Sequence, residues 1–122
     1  SYKTQLYHRP NYYSGMLRGW DQSHVADDGR KQALAATSLD LAAAMRQNPH
    51  LKVLAMNGYY DLATPFFGAE WDLAHMSIPE ALKRNITYTY YESGHMIYID
   101  PPSMKKMKDD LDAFYAAAQS GD

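Results

Sequence analysis

Two ionisable side chains stand where an α/β protein places groups that do chemistry. Asp61 follows the short apolar run "LKVLAMNG", and His95 follows the β-branched and aromatic run "ITYTYYE". Both runs are typical of strands. Loops at the carboxyl ends of parallel strands emerge at one edge of the sheet, so the Asp61 carboxylate can reach a ring nitrogen of His95. A carboxylate there fixes the imidazole tautomer and stabilises the imidazolium, which prepares the ring as a general base.

Both residues also have structural interpretations. An aspartate after a strand often holds a turn through its own backbone hydrogen bonds, and a single histidine is often a satisfied structural residue. Spacing alone leaves both interpretations open.

Other site chemistries have weaker support in the sequence. The remaining histidines (His8, His24, His50 and His75) include no i,i+4 pair, and the chain has no cysteine. A zinc site is therefore not predicted. No glycine-rich phosphate loop follows either strand. We expect neither a metal nor a cofactor.

Bulk composition narrows the function classes. The 122 residues suffice for one domain but are short for two, and the net charge of -2 gives no reason to expect a nucleic-acid partner. No apolar run is long enough to cross a bilayer and no signal peptide is visible, so we expect no membrane partner. The lack of cysteine does not determine the compartment.

Helices are predicted before and between the two strands. Residues 1–28 are polar and tyrosine-rich, which predicts an irregular segment. Residues 29–47 predict a helix, because Leu34, Leu41 and Met45 recur at helical spacing. After Asp61, Thr64 as N-cap and Pro65 as the first helical residue predict a second helix.

The second half of the chain continues the alternation. The second helix has one apolar face, and "MSIPEALKRN" predicts a connector with a short helical turn. Pro101 and Pro102 begin a final helix, whose lysines and aspartates predict a solvated face. We expect the methionines of its apolar face to belong to the core. The apolar face of the final helix comprises Met104, Met107, Leu111, Phe114 and Ala118. The apolar face of the second helix comprises Phe67, Trp71 and Ala74.

Strands that alternate with helices predict an α/β fold with parallel pairing over residues 29–122. Two parallel strands are few for an independent sheet, so the sheet is expected to be incomplete.

Two stretches resemble the Asp and His motifs of bacterial serine carboxypeptidases, which have the α/β-hydrolase fold. "NGYYDLATPFFG" contains a glycine-x-x-Asp setting followed by a proline, and "SGHMIYIDPP" contains Gly-His-Met before a proline pair. The resemblance extends over residues 39–115. It is fainter before that, although "GWDQSHV" is similar to the return from the family's lid region.

The resemblance implies that the chain is the C-terminal portion of an α/β-hydrolase fold. Asp61 would orient His95, the general base, and Met96 would help to line the pocket for the released residue. The alternative for Met96 is core packing. Relatives of this type are usually exported or lysosomal, which implies an exported protein.

The nucleophile of the family is missing from this chain. No G-x-S-x-G motif occurs. Ser93 is too close in sequence to His95 to present its hydroxyl easily, and it has no oxyanion-hole scaffold. In the family, a serine completes a Ser–Asp–His catalytic triad. The resemblance implies that this serine lies upstream and that this chain alone is inactive. Its partners would be the upstream part of the same protein, a peptide substrate of the parent enzyme, or a second copy.

Two further function classes stay open. The pair of Asp61 and His95 (the dyad) serves any acyl transfer. The parent enzyme could therefore be an esterase, acyltransferase or aminopeptidase. Alternatively, the chain is a non-catalytic α/β association module whose sheet edge and apolar helix faces bind a partner.

Overall fold

The computed structural model describes residues 19–26, 28–33 and 36–120. They fall into two compact units that divide between Ala36 and Thr37. The first unit contains a small antiparallel hairpin of β1 (His24–Val25) and β2 (Lys31–Gln32). The predicted irregular segment 1–28 lies largely outside the described residues.

The predicted helix over residues 29–47 begins later than expected, and α1 spans Thr37–Gln47. Gly29 has a φ of 79°, a left-handed conformation that a right-handed helix does not continue. Its N–H donates to the carbonyl of Ala26 at 2.8 Å and closes the hairpin turn. Leu34, which suggested the longer helix, lies outside the described residues.

The second unit contains the predicted parallel pair of strands. Strands β3 (Val53–Gly58) and β4 (Ile86–Tyr91) run in the same direction, with Val53 opposite Ile86 and Gly58 opposite Tyr91. Helices α2 (Phe66–Ala74) and α3 (Glu80–Lys83) connect them. The prediction of an α/β arrangement is confirmed. Within the described part of the chain this sheet has two strands, so each presents an unpaired edge.

The core of the second unit lies between α1, the start of β4 and the segment after α2. Met45 is completely buried. The predicted helical spacing of Leu41 and Met45 thus corresponds to the face of α1 that packs inward. The buried cluster comprises Ala42, Met45, Met76, Ile78 and Ile86.

Helix α2 begins without the predicted Thr64 cap. Its N-cap residue is Pro65, and no side chain caps it. The Pro65 carbonyl accepts hydrogen bonds from the amides of Gly68 and Ala69 at 2.9 and 3.2 Å. The Thr64 hydroxyl instead donates to the carboxylate of Asp61, three residues earlier in the chain. The apolar face of α2 stays exposed, including Phe67 and Trp71.

The last helix, α4 (Pro101–Ser120), follows a short 3₁₀ turn at Ile97–Ile99. The Asp100 carboxylate accepts the Ser103 N–H at 2.9 Å, while Pro101 and Pro102 have no N–H to satisfy. Three Lys–Asp pairs at i,i+4 spacing confirm the predicted solvated face.

The prediction that both methionines of α4 belong to the core is wrong for Met104. It is 48% exposed, while Met107 is half-buried. The reason is geometric, since two strands are too narrow to cover the whole apolar face of a twenty-residue helix. Tyr91 provides the contact to α4 instead, with its hydroxyl 2.9 Å from Asp110.

No helix within the described ranges is long and apolar enough to cross a membrane.

Candidate active site

The loops that follow β3 and β4 are held side by side beyond the ends of the strands. The Tyr59 N–H donates to the Tyr91 carbonyl at 2.9 Å, and the Tyr60 N–H donates to the Ser93 carbonyl at 3.0 Å. Parallel pairing therefore continues into the loops that carry Asp61 and His95.

Gly58 permits this close approach. A Cβ atom at Gly58 would lie 2.4 Å from the carbonyl oxygen of Gly94 and 2.5 Å from that of Ser93. Both neighbours are backbone atoms, so no side-chain rotation relieves the clash. Glycine at this position is thus a condition for the geometry of the site.

The structure brings Asp61 and His95 together. Oδ2 of Asp61 lies 2.8 Å from Nδ1 of His95. The Asp61 side chain is only 7% exposed, while the His95 side chain is 65% exposed. A buried carboxylate therefore holds one edge of a ring whose remaining surface is open to a reactant.

Asp61 also performs the structural role that its position after a strand suggests. Its Oδ1 accepts the N–H groups of Ala63 and Thr64 at 2.8 and 2.9 Å. One carboxylate oxygen thus holds the turn and the other holds the imidazole. Asp61 therefore holds the turn as the structural interpretation predicts, and it also makes the contact to His95 on which the functional interpretation depends.

Thr64 is a site residue that the sequence reasoning missed. Its hydroxyl lies 2.5 Å from Oδ2 of Asp61 and 3.3 Å from Nδ1 of His95. The D-x-x-T spacing was a usable signal, because a hydroxyl three residues after a turn aspartate can return to the carboxylate. Because the sequence pattern assigned Thr64 to the N-cap of the helix, its hydrogen bond to Asp61 was not predicted.

The electrostatics of the dyad determine which nitrogen bears the proton. Hydrogen bonds from the Thr64 hydroxyl and amide hold the pKa of Asp61 well below its ordinary value of 3.8, with smaller help from His95 and Ala63. They outweigh the burial of the carboxyl, which acts in the opposite direction. An ionised carboxylate only accepts hydrogen bonds, so Nδ1 of His95 is the donor. In the neutral ring, Nε2 then bears the lone pair, as a general base requires.

Met96 and Ser93, the two other residues considered for the site, differ in exposure. Met96 is 47% exposed and lies outside the core, which disfavours the core-packing alternative. Its substrate-binding role stays a prediction. Ser93 is 6% exposed, so it is not presented to a reactant in the manner of a nucleophile.

Three aromatic rings pack together where the end of β3, β4 and the start of α2 meet. The Tyr59 ring stacks on Tyr90 with centroids 5.6 Å apart, and the Phe66 ring meets both edge-on. The Tyr90 hydroxyl donates to Glu70, and this hydrogen bond and burial raise the pKa of Tyr90 to about 12. Tyr90 is therefore a neutral hydrogen-bond donor at ordinary pH and not an acid–base group.

Across the described ranges, no group of three or more His, Asp or Glu side chains is arranged to hold a metal ion. Comparisons of the chain with protein-family models, curated proteins and solved structures found no match.

Proposed function

We propose that Asp61 and His95 are the orienting acid and the general base of a serine-type hydrolase whose serine lies in another segment of polypeptide. One observation carries the proposal. A buried, ionised carboxylate holds Nδ1 of an exposed imidazole at 2.8 Å, at the carboxyl edge of a parallel sheet. That arrangement supports proton transfer at Nε2.

The reaction has two half-steps. Nε2 of His95 takes the proton of the serine hydroxyl as the serine oxygen bonds to the substrate carbonyl carbon, and Asp61 stabilises the imidazolium. The ring returns that proton to the leaving group as the scissile bond breaks. Water then attacks the acyl-enzyme with the same assistance and restores the serine.

Carboxypeptidase activity is the proposed form of this chemistry. It draws on the resemblance of the two loop motifs to those of serine carboxypeptidases, and on the position of Met96. This exposed side chain directly follows the base, where it can contact the residue that is released. The dyad geometry alone supports hydrolysis of amides and esters alike.

A covalent probe tests the proposal on the assembly that contains both this chain and the serine. We expect a fluorophosphonate to label one serine outside these 122 residues. Intact-protein mass spectrometry of material purified from its source identifies the polypeptide that bears it. His95→Ala should reduce the labelling rate by about 10³-fold or more, because the hydroxyl loses its base.

His75→Ala is the matched control. This exposed histidine stacks on Trp71 with centroids 4.1 Å apart, and its loss should leave labelling unchanged. Equal labelling of the wild type and His95→Ala would refute the proposal.

The purified 122-residue chain should show no peptidase turnover, because removal of the nucleophile removes most of the catalysis by a triad. Turnover that Ser93→Ala abolishes would instead identify a nucleophile within this chain.

A further inference from the structure

We propose that Thr64 is a positioning residue of the dyad, whose hydroxyl orients the Asp61 carboxylate and thereby fixes the tautomer of His95. The catalytic consequence of this inference rests on the proposed function. The tautomer itself can be measured without any activity.

The hydroxyl hydrogen of Thr64 has two possible acceptors. One is Oδ2 of Asp61 at 2.5 Å, and the other is Nδ1 of His95 at 3.3 Å. The carboxylate is both closer and ionised, so it receives the hydrogen. The Thr64 oxygen then presents only lone pairs to Nδ1. Both oxygens near Nδ1 are therefore acceptors, and this environment favours a proton on that nitrogen.

The hydroxyl is not needed for the helix that follows. Pro65 is the N-cap residue of α2, and its carbonyl accepts the amides of Gly68 and Ala69. A threonine before a proline would ordinarily be assigned to helix capping. Here the side chain is directed to the dyad, which separates its role from the stability of α2.

Thr64 completes the hydrogen bonding of the carboxylate. Oδ1 of Asp61 accepts two backbone N–H groups, while Oδ2 accepts the Thr64 hydroxyl and the His95 ring. With two donors on each oxygen, rotation of the carboxylate breaks hydrogen bonds on both sides. Without the hydroxyl, His95 is the one donor left on Oδ2 among the residues that the structure describes, and the carboxylate is less firmly oriented.

The tautomer can be read from the two ring nitrogens by ¹H–¹⁵N correlation spectroscopy of the 122-residue chain, above the pH range in which imidazole titrates. His95→Gln identifies the ring signals of His95 by their absence. We expect the wild-type ring to be protonated on Nδ1. Thr64→Val, which keeps the side-chain shape, should lower the ratio of the Nδ1–H to the Nε2–H tautomer by about fivefold to tenfold, comparable to one net hydrogen bond.

Thr64→Ser is the matched control, because it retains the hydroxyl and should keep the wild-type ratio. Thr64→Ala gives a second test without the hydroxyl if the valine variant does not fold. In the assembly that bears the serine, Thr64→Val should lower kcat by about tenfold with KM unchanged, since Thr64 acts through Asp61 and not on substrate.

Asp61→Asn separates failure of this inference from failure of the proposed function. If Asp61→Asn alters the ring signals and Thr64→Val does not, Thr64 has no positioning role and the dyad stands. If neither variant alters them, Asp61 does not hold the ring, and both proposals are wrong.

Discussion

At the scale of single residues, the site depends on how Asp61 divides its two oxygens. Oδ1 holds the turn after β3 and Oδ2 holds His95. An aspartate that bound only the turn amides would not contact the imidazole, and one that bound only the imidazole would not have its carboxylate held by the backbone. The combination gives a carboxylate that is ionised and fixed in orientation, which is the preorganisation that the proposed general-base role requires.

Asp61 should make the stability of the chain depend on pH. Its pKa is lowered in the folded state, so its contribution to stability is complete above the unfolded value of 3.8 and is lost as pH falls through the lower folded value. The difference in free energy of unfolding between the wild type and Asp61→Asn should therefore shrink from about pH 6 to pH 3. Urea unfolding at several pH values measures it.

Thr64→Val provides an internal comparison for this experiment. It keeps the carboxyl but removes its main hydrogen-bond donor, so its pH dependence should lie between those of the wild type and Asp61→Asn. A difference between wild type and Asp61→Asn that stays constant with pH would contradict the assignment.

At the scale of secondary-structure elements, the distance between the two site loops depends on Gly58. Gly58→Ala should destabilise the chain by about 1–3 kcal/mol, because the new methyl group overlaps two backbone carbonyls. Gly68→Ala is the matched control. Gly68 lies in α2 with nothing within 4 Å of an added Cβ, so alanine there should stabilise by up to about 1 kcal/mol. Chemical denaturation compares the two variants, and equal effects would refute the close-approach argument.

The packing of α1 gives a second prediction at this scale. Met45 is completely buried, so Met45→Ala should cost about 2–5 kcal/mol of unfolding free energy. Met104→Ala, on the exposed side of α4, should cost about 0.5 kcal/mol or less. Thermal and urea unfolding distinguish them. Similar costs at both positions would mean that α4 is covered in solution.

At the scale of the whole molecule, the sheet of the second unit has surfaces that no other described part of the chain covers. Within the described residues both β3 and β4 present unpaired edges, and α2 leaves Phe67 and Trp71 exposed. Such surfaces favour association with another chain. This is consistent with the proposal that the catalytic serine comes from a separate segment of polypeptide.

The purified chain should self-associate as its concentration rises. Size-exclusion chromatography with light scattering measures the mass. Thr87→Lys, which introduces a charge at an exposed position of β4, should shift the chain towards monomer, because charges on edge strands oppose strand pairing. A wild-type chain that stays monomeric over the whole concentration range would argue against unpaired edges as a site of association.

The hairpin of β1 and β2 lies in segments predicted as irregular and as helical, so the sequence did not predict it. The sequence by itself did determine the order of elements from α1 to α4, the parallel pairing of β3 with β4 and the common edge for Asp61 and His95. These follow from local signals: apolar runs bounded by turns, helical spacing, and the rule that parallel strands end at one edge. The distance of 2.8 Å between the two side chains required the structure, because it depends on strand register and on the approach of Gly58 to the backbone of the second loop.

Only the tertiary structure decided which of its possible hydrogen bonds Thr64 makes and which part of the apolar face of α4 is buried. Thr64 has the local chemistry both of a helix cap and of a donor to the turn aspartate three residues before it. In the structure its hydroxyl binds Asp61 and lies 3.3 Å from Nδ1 of His95, which only folding brings near. Met104 has the periodicity of a core residue, yet nothing described in the chain covers it. Periodicity reports which residues share a face, but whether that face is buried depends on neighbours that are remote in sequence.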